Sequence, residues 1–399
     1  MATLHPFRAL RPNAANAPRI AAVPYDVVNT DEARVLADGN PLSFLRVSRA
    51  EIELPAGSDP YADAVYQRAA DNFAALRKGA LTIEDEASVY FYQLRMGSHI
   101  QTGLAACFSI DEYDRDIIKK HERTRRDKED DRTKHMLALG AQTGPVFLTY
   151  RAAADVDRVA AKVTAGPPII DFTAPDEVRH ALWRVGGADL DALVAAVGRI
   201  PALYIADGHH RAASAARARA QKAGAEAATM LAVAFPHDQV QILAYNRTVK
   251  DLGGLTPDAL LTAVRESFQV EPGPGAPAKR GDIAMYFNKA WHTLRPRVAP
   301  DAQDPIGSLD VSVLQEQLLA PVLKIADVRT DKRIDFVGGA RGTGALEQLV
   351  DSGKAAVAFS LFPVSVADLM AVSDAGEIMP PKSTWFEPKL RDGLLIHVI

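Results

Sequence analysis

One cysteine in 399 residues, Cys107, excludes an intrachain disulfide and a cysteine-based zinc site. A single thiol fits a reducing compartment. A basic surplus is also missing: 46 Lys+Arg stand against 50 Asp+Glu, a formal charge of -4. Proteins that grip nucleic acid through its phosphates usually carry such a surplus. Nucleic acid is therefore not expected as a partner, although a local basic patch stays open. No apolar run reaches the roughly 18 residues a membrane span needs. The start, Met1-Ala2-Thr3-Leu4-His5-Pro6, shows no basic stretch followed by an apolar one, so no secretory signal is expected. No repeat of about 20–50 residues is visible, which excludes a solenoid. These absences predict a soluble, cytoplasmic protein.

What is present suits a globular enzyme. Hydrophobic residues make up 48% and charged ones 24%, enough to fill a sizeable core, and the length predicts two or three lobes. Tyr61 to Lys78 reads as a helix, with Val65, Ala69, Phe73 and Leu76 on one face and Gly79 closing it. Ser88 to Met96 and Ile100 to Ile110 read as a β-hairpin. Gly144 to Tyr150 and Pro201 to Ala206 read as strands. The stretch 151–198 reads as mostly helical, broken at Gly166-Pro167-Pro168, and Gly208 to Ala223 as an Ala-rich helix. Strands are expected at Thr229 to Phe235 and Gln239 to Tyr245. Glu271 to Pro277 alternates proline and glycine and reads as a linker or surface loop. Asp282 to Phe287, Ala355 to Phe362 and Leu394 to Ile399 read as strands, Val311 to Leu323 and Val366 to Ser373 as helices. Strands and helices without strict alternation predict an α+β fold with mixed sheets and packed helices.

The densest cluster of functional side chains is Tyr204-Ile205-Ala206-Asp207-Gly208-His209-His210-Arg211, running from strand into helix. Asp207 suits an N-cap. His209, His210 and Arg211 then fall in the first turn, where the helix dipole disfavours positive charge. A bound anion relieves that conflict, and free backbone N–H groups with Arg211 would make a phosphate corner. Adjacent histidines on a helix point about 100° apart, so a joint metal site at His209 and His210 is not expected.

Lys119 to His135 holds 13 charged residues in 17, eight basic and five acidic. Within it, His121-Glu122 resembles the start of a zincin motif, but Arg125 stands where the second histidine belongs. What is left is a glutamate set among bases beside Thr124, either a candidate base for a hydroxyl substrate or part of a solvated, salt-bridged helix. Gly338 to Gly344 fails as a phosphate loop, with Ala345 where a Walker lysine belongs, and fails as a dinucleotide fingerprint at Glu347. It reads as a flexible turn. Pro380 to Lys389 crowds Lys382, Ser383, Thr384, Trp385, Phe386, Glu387 and Lys389 into one loop. It suits either a grip on a small polar anion or an aromatic anchor.

Pro24-Tyr25-Asp26-Val27-Val28, His121-Glu122-Arg123-Thr124, Asp207-Gly208-His209-His210-Arg211 and Lys382-Ser383-Thr384-Trp385-Phe386-Glu387-Pro388-Lys389 occur in this order. Together they resemble the bacterial domain-of-unknown-function family numbered 1015, over nearly the whole chain. The middle is also similar to the ParB/sulfiredoxin superfamily, and within it to the free-serine kinases. That resemblance implies a ParB/sulfiredoxin-like central core with N- and C-terminal elaborations: an α+β region at 1–110, a nucleotide-binding core at 111–270 with an insertion around 151–198, and a region at 271–399 carrying a substrate loop. It implies transfer of phosphate from ATP or ADP to the hydroxyl of free L-serine or a similar hydroxy-amino acid, with Mg²⁺. Glu122 matches the catalytic glutamate, and Asp207, Gly208, His209 and Arg211 match the nucleotide-phosphate turn, with His210 at a variable position. Asp207 is also expected to be catalytic, and Thr124 to lie on the nucleotide side. Lys382, Thr384 and Trp385, with Tyr25 and Asp26, are placed with the substrate. Asp207 or Glu122 would be the Mg²⁺ ligand, and a homodimer stays open.

The alternative is a ParB-like nucleotide-dependent DNA-binding or regulatory protein using 119–134. Its steep salt dependence would separate it from an enzyme. A sulfiredoxin-like redox activity would need Cys107, which lies within an apolar strand pattern.

Overall fold

Val89-Tyr90-Phe91-Tyr92 is a run of large side chains with no polar break, and all four are buried. Such a run marks a strand covered on both faces. In the computed structural model, which describes residues 1–399, it begins a hairpin at the heart of the first of two compact units. That unit comprises Met1–Lys120, Thr124–Val240 and Pro388–Ile399; the second comprises His121–Arg123 and Gln241–Glu387. The three consecutive regions expected from sequence are thus distributed over two units, because sheet pairing joins strands distant in the chain.

The first unit carries a nine-stranded mixed sheet. Its strands are β1 (Leu4–His5), β2 (Val89–Met96), β3 (His99–Ser109), β4 (Ile118–Lys119), β5 (Val146–Tyr150), β6 (Ile170–Thr173), β7 (Arg179–Val185), β8 (Leu203–Asp207) and β9 (Thr229–Pro236). Their order is β4-β8-β5-β9-β3-β2-β7-β6, with β1 paired to β3. β8 runs parallel to β4, and β9 parallel to β5; the other pairs are antiparallel. Helices α1 (Asp63–Gly79), α2 (Arg126–Leu139), α3 (Ala154–Thr164), α4 (Gly187–Val197) and α5 (His209–Arg219) accompany it.

The hairpin β2–β3 and the helices α1 and α5 follow the sequence reading. The stretch 151–198 does not: between α3 and α4 lie two strands, β6 and β7. β7 pairs with β2 in a seven-residue register from Arg179↔Arg95 to Val185↔Val89. A partner so far back in the chain leaves no local trace, so alanine-rich flanks dominate the periodicity. The charged stretch 119–135 becomes helix only from Arg126, and ends at Gly140 in the left-handed region (φ 60°), as a helix-terminating glycine should.

One core lies between the sheet and its helices, built on Phe91, Phe108, Leu148 and Ile205 with Leu193, Ala212 and Ala215. The alanines of α5 contribute little bulk, so that helix packs close. A second core gathers Ile20, Phe44, Phe73 and Leu76 with Ile396 under the N-terminal segments. The C-terminal segment contributes Ile396 to that core. The strand expected there shortens to His397–Val398, paired with Ala141–Gln142.

The second unit has a six-stranded, wholly antiparallel sheet. Its strands are β10 (Tyr245–Val249), β11 (Phe268–Pro272), β12 (Ile283–Phe287), β13 (Ala290–Pro296), β14 (Ile334–Gly338) and β15 (Val357–Leu361), with helices α6 (Pro257–Ser267), α7 (Gly344–Asp351) and α8 (Val366–Asp374). α6 starts at a Thr256 cap and α8 at a Ser365/Asp368 capping box. Glu271 to Pro277 is the end of β11 and the loop after it. A Cβ at Gly273 would stand 1.9 Å from Thr293 Oγ1, so its composition serves close packing rather than a domain link. The helix expected over Val311 to Leu323 is one α turn, Asp310–Leu314, continued by a π turn, Gln315–Leu319. No helix is long and apolar enough to cross a membrane.

Candidate functional site

β8 ends at Asp207, and its pairing with β5 slips between Ile205 and Asp207. Gly208 follows with φ 92°, a conformation that strains any residue with a Cβ. The sequence reading made Asp207 the N-cap of α5. In the structure Gly208 holds that position, and no side chain caps the helix. The difference has a cause: the Asp207 carboxylate turns to cations instead. Lys389 Nζ donates to its Oδ2 at 3.1 Å, and Arg211 Nη2 lies 3.6 Å away. Burial pushes the carboxyl up, but Lys389 and Arg211 outweigh it and hold Asp207 well below the usual carboxylate range.

Arg211 folds back under the turn it follows. A Cβ on Gly208 would stand 2.8 Å from Arg211 Nε, so the glycine makes room for the guanidinium. Arg211 is 8% exposed, and its Nη1 donates to the Pro145 carbonyl. The first turn of α5 keeps a second contact: Arg125 N–H donates to His210 Nε2 at 3.0 Å. A backbone N–H can only donate, so that nitrogen carries a lone pair and His210 is neutral. The charge conflict expected at this helix start is partly relieved from within.

The C-terminal segment, whose other charges the sequence reading missed, completes the cluster. Asp392 exchanges backbone hydrogen bonds with Ala22, at 3.2 and 2.9 Å, and Gly393 N–H donates to Thr143. Arg391, 3% exposed, donates through Nε to His180 Nε2 at 3.2 Å and through Nη2 to Asp176. His180 Nδ1 sits 2.8 Å from the Tyr92 hydroxyl. Burial, helped by Arg391, pushes His180 well below the ordinary imidazole range. It is therefore a neutral relay in a structural network. Asp392, 3% exposed, faces a cavity of ≈ 40 Å³ lined by Tyr25, Arg132, Thr143, Gly144 and Arg211. Its Oδ1 accepts no hydrogen bond from the chain, and Arg211 Nε is likewise unmatched. The space is enough for ordered water to bridge them.

Burial raises the Asp392 carboxyl to about 7, against the pull of Arg211; Asp26 adds to the rise. An unfolded aspartate titrates near 3.9. Between those two values the native state holds a proton that the unfolded chain lacks, so this group makes stability fall as pH rises through that window. Asp392→Asn should therefore gain stability over the parent between pH 4 and pH 8, by on the order of a few kcal/mol. Urea midpoints of both proteins across that range check it; a constant difference would refute it.

The first unit brings together Asp207, Gly208, His209, Arg211, Thr124, Tyr25 and Asp26. Tyr25 lies under the Arg132 guanidinium, 4.1 Å from ring centroid to Cζ, and Arg211 senses both Asp26 and Tyr25. Burial, with Asp26 next, pushes the Tyr25 phenol up. Thr124 donates to Glu129, and Glu129 also takes Arg217 at 3.1 Å. Asp207 as a Mg²⁺ ligand does not fit: its carboxylate is already neutralised by two cations, and a divalent ion would join them. No group of three His, Cys, Asp or Glu is arranged to hold a metal ion. Cys107 is buried in β3, and burial pushes its thiol up, so it is no redox nucleophile.

The second unit holds Glu122, Lys382, Thr384 and Trp385. Glu122 is half-buried in a bend before α2, outside any helix. Its neighbour His121 accepts at its carbonyl from Met379 N–H at 2.8 Å, which fixes the glutamate's segment beside the start of the loop. In the loop, Trp385 packs edge-on to Tyr245, at 5.2 Å, and donates to Glu387 at 2.9 Å. Its ring lies against Gly338, where a Cβ would stand 2.8 Å away. Phe386 and Trp385 pair with Ile242–Leu243. Lys382, exposed at φ 57°, stands 5.6 Å over the Tyr245 ring, and its carbonyl accepts from buried Arg247. The aromatic anchor and the exposed lysine coexist in one loop, with Thr384 half-buried between them.

These observations define an α+β protein with a strand-to-helix turn set in a buried ionic cluster. A family profile described as Protein of unknown function (DUF1015) matches residues 4–312, and the chain belongs to that family. Among solved structures it is similar to a free serine kinase in complex with AMP, at 13% identity over 72% of this chain and 91% of that chain, TM-score 0.38. SbnI with a C-terminal truncation, from Staphylococcus aureus, is similar at 13% over 72% and 85%, TM-score 0.40. A conserved hypothetical protein from Pyrococcus furiosus is similar at 13% over 73% and 94%, TM-score 0.38. A comparison with curated proteins finds no match.

Proposed function

We propose that this chain is a small-molecule kinase that moves phosphate from ATP or ADP to the hydroxyl of free L-serine or a similar hydroxy-amino acid. The observation that carries the reading is the start of α5: no side chain caps it, and Gly208 turns the chain into it at φ 92° over the buried Arg211 guanidinium. First-turn N–H groups in that setting are suited to phosphate oxygens. Arg211 supports the turn from below, and Lys389 keeps Asp207 ionised and in place. Mg²⁺ belongs in this scheme with the phosphates of the nucleotide.

On the acceptor side, Glu122 would take the hydroxyl proton as the new oxygen–phosphorus bond forms and the nucleotide leaves with the electrons of the broken one. Lys382 would meet the carboxylate of the amino acid. The DNA-binding alternative gains no support from the charged stretch. Arg125 pairs with Asp127 and Arg132 with Asp131, while Glu129 and Asp130 hold Arg217. Four of its five acids thus sit beside arginines of the stretch itself or of α5, which lowers its net positive field.

Purified protein incubated with ATP or ADP, Mg²⁺ and an amino-acid panel tests the reading, with O-phosphoserine as the expected product. Turnover on another hydroxyl compound but not on L-serine would remove serine and keep the kinase. Absence of nucleotide binding would remove both.

A further inference from the structure

α3 does not close fully onto the sheet. Between Val156, Ala160 and Ala161 on the helix and Phe91 on β2 lies a cavity of ≈ 180 Å³. Its walls there are apolar, and a cavity of about 150 Å³ accepts a benzene-sized ring. The lining is not all apolar: Asp157 and Tyr150 face the cavity as well, with Thr102, Thr164 and Gln239, and Tyr150 is only 3% exposed.

Asp157 is distinctive. Two residues earlier, Asp155 takes both Arg158, at 3.1 Å, and Arg199. The charged group that acts on Asp157 is instead Asp238, another acid. Burial and then Asp238 push the Asp157 carboxyl up, and the same two acids, after burial, push the Tyr150 phenol up. Nearby, Lys162 is committed to Asp189 at 2.6 Å. His237 Nδ1 accepts from Ala152 N–H at 3.1 Å. The lining offers the Asp157 carboxylate and other acceptors but no lysine or arginine, and the cavity has room for a ring or short chain.

We propose that this cavity binds a small primary ammonium with an apolar tail, its nitrogen held by Asp157 and the Tyr150 oxygen and its tail lying against Phe91, Val156, Ala160 and Ala161. Free amino acids fit poorly, since their carboxylate would meet Asp157 and Asp238. The site is therefore distinct in ligand chemistry from the serine acceptor proposed above, and it does not depend on that proposal.

Benzylamine is a suitable probe, and benzyl alcohol is its uncharged counterpart. Calorimetric or NMR titration of the full chain should show binding of benzylamine and much weaker binding of benzyl alcohol. Asp157→Asn should weaken benzylamine at least about tenfold, the loss expected when a charge-assisted hydrogen bond goes. Ala160→Leu, at a half-buried lining position, should block it by filling the cavity. Far-UV circular dichroism establishes that each variant is folded; Asp157→Asn, at a half-buried position, decides the matter if Ala160→Leu does not fold. Equal binding of amine and alcohol, unchanged affinity in Asp157→Asn, or no binding of benzylamine to the parent would each overturn the proposal.

Discussion

Glu122→Gln should lower kcat by at least about a hundredfold while nucleotide affinity stays nearly the same. A serine hydroxyl is a poor nucleophile at neutral pH, and a positioned carboxylate that orients it and accepts its proton typically contributes a hundred- to ten-thousandfold, to order of magnitude. Gln keeps the shape and removes the acceptor. Along α2, Asp127 pairs with Arg125, Glu129 with Thr124 and Arg217, Asp130 with Arg217, and Asp131 with Arg132 and Tyr66. Glu122 sits before that helix, in a bend. Glu129→Gln is the matched control, expected to loosen α2 against α5 with a small change in kcat. Steady-state kinetics with isothermal titration of nucleotide separates the two parameters. Near-normal kcat in Glu122→Gln would move the base to another residue and undo the kinase alignment at this motif.

Local features were legible. The β2–β3 hairpin follows from two apolar runs around Gly97-Ser98, and the turn after β8 follows from Asp207-Gly208 before an alanine-rich helix. What escaped was set by distance along the chain. β7 pairs with a strand about 90 residues earlier, and nothing in Arg179 to Val185 announces that partner. The same holds for Arg391 and Asp392, whose contacts are Asp176, His180, Ala22 and the cavity beside Arg211. A signal for them did exist. Leu390 precedes them and Leu394, Leu395 and Ile396 follow closely, all buried. Charges embedded in such an apolar run must be paired inside the protein. The role of Asp207 was misjudged for a related reason: an aspartate before a helix suggests a cap, and only the fold shows that Lys389 and Arg211 reach it first.

Arg211→Ala is expected to cost about 3–5 kcal/mol of stability, the range for removing one partner of a buried ion pair. From sequence, this arginine is a phosphate ligand whose loss weakens nucleotide binding more than folding. Its buried contacts give the opposite expectation. The guanidinium is buried, donates to the Pro145 carbonyl, faces Asp207 at 3.6 Å and fills the space beneath Gly208. Burial opposes its charge, yet Asp207, Asp26 and Asp392 more than compensate and hold its pKa above the ordinary value. Its removal leaves the carboxylates short of a cation and empties the space under the turn. Arg211→Lys keeps the charge but not the fork that spans Pro145 and Asp207, so an intermediate loss is expected. Urea unfolding followed by circular dichroism measures both. A parent-like midpoint for Arg211→Ala, together with weakened nucleotide binding, would return the residue to the ligand side. Because the alanine variant is expected to be marginal, Arg211→Lys carries the functional half of the test: a folded lysine variant with parent-like nucleotide affinity identifies Arg211 as the support of the phosphate turn rather than a contact to phosphate.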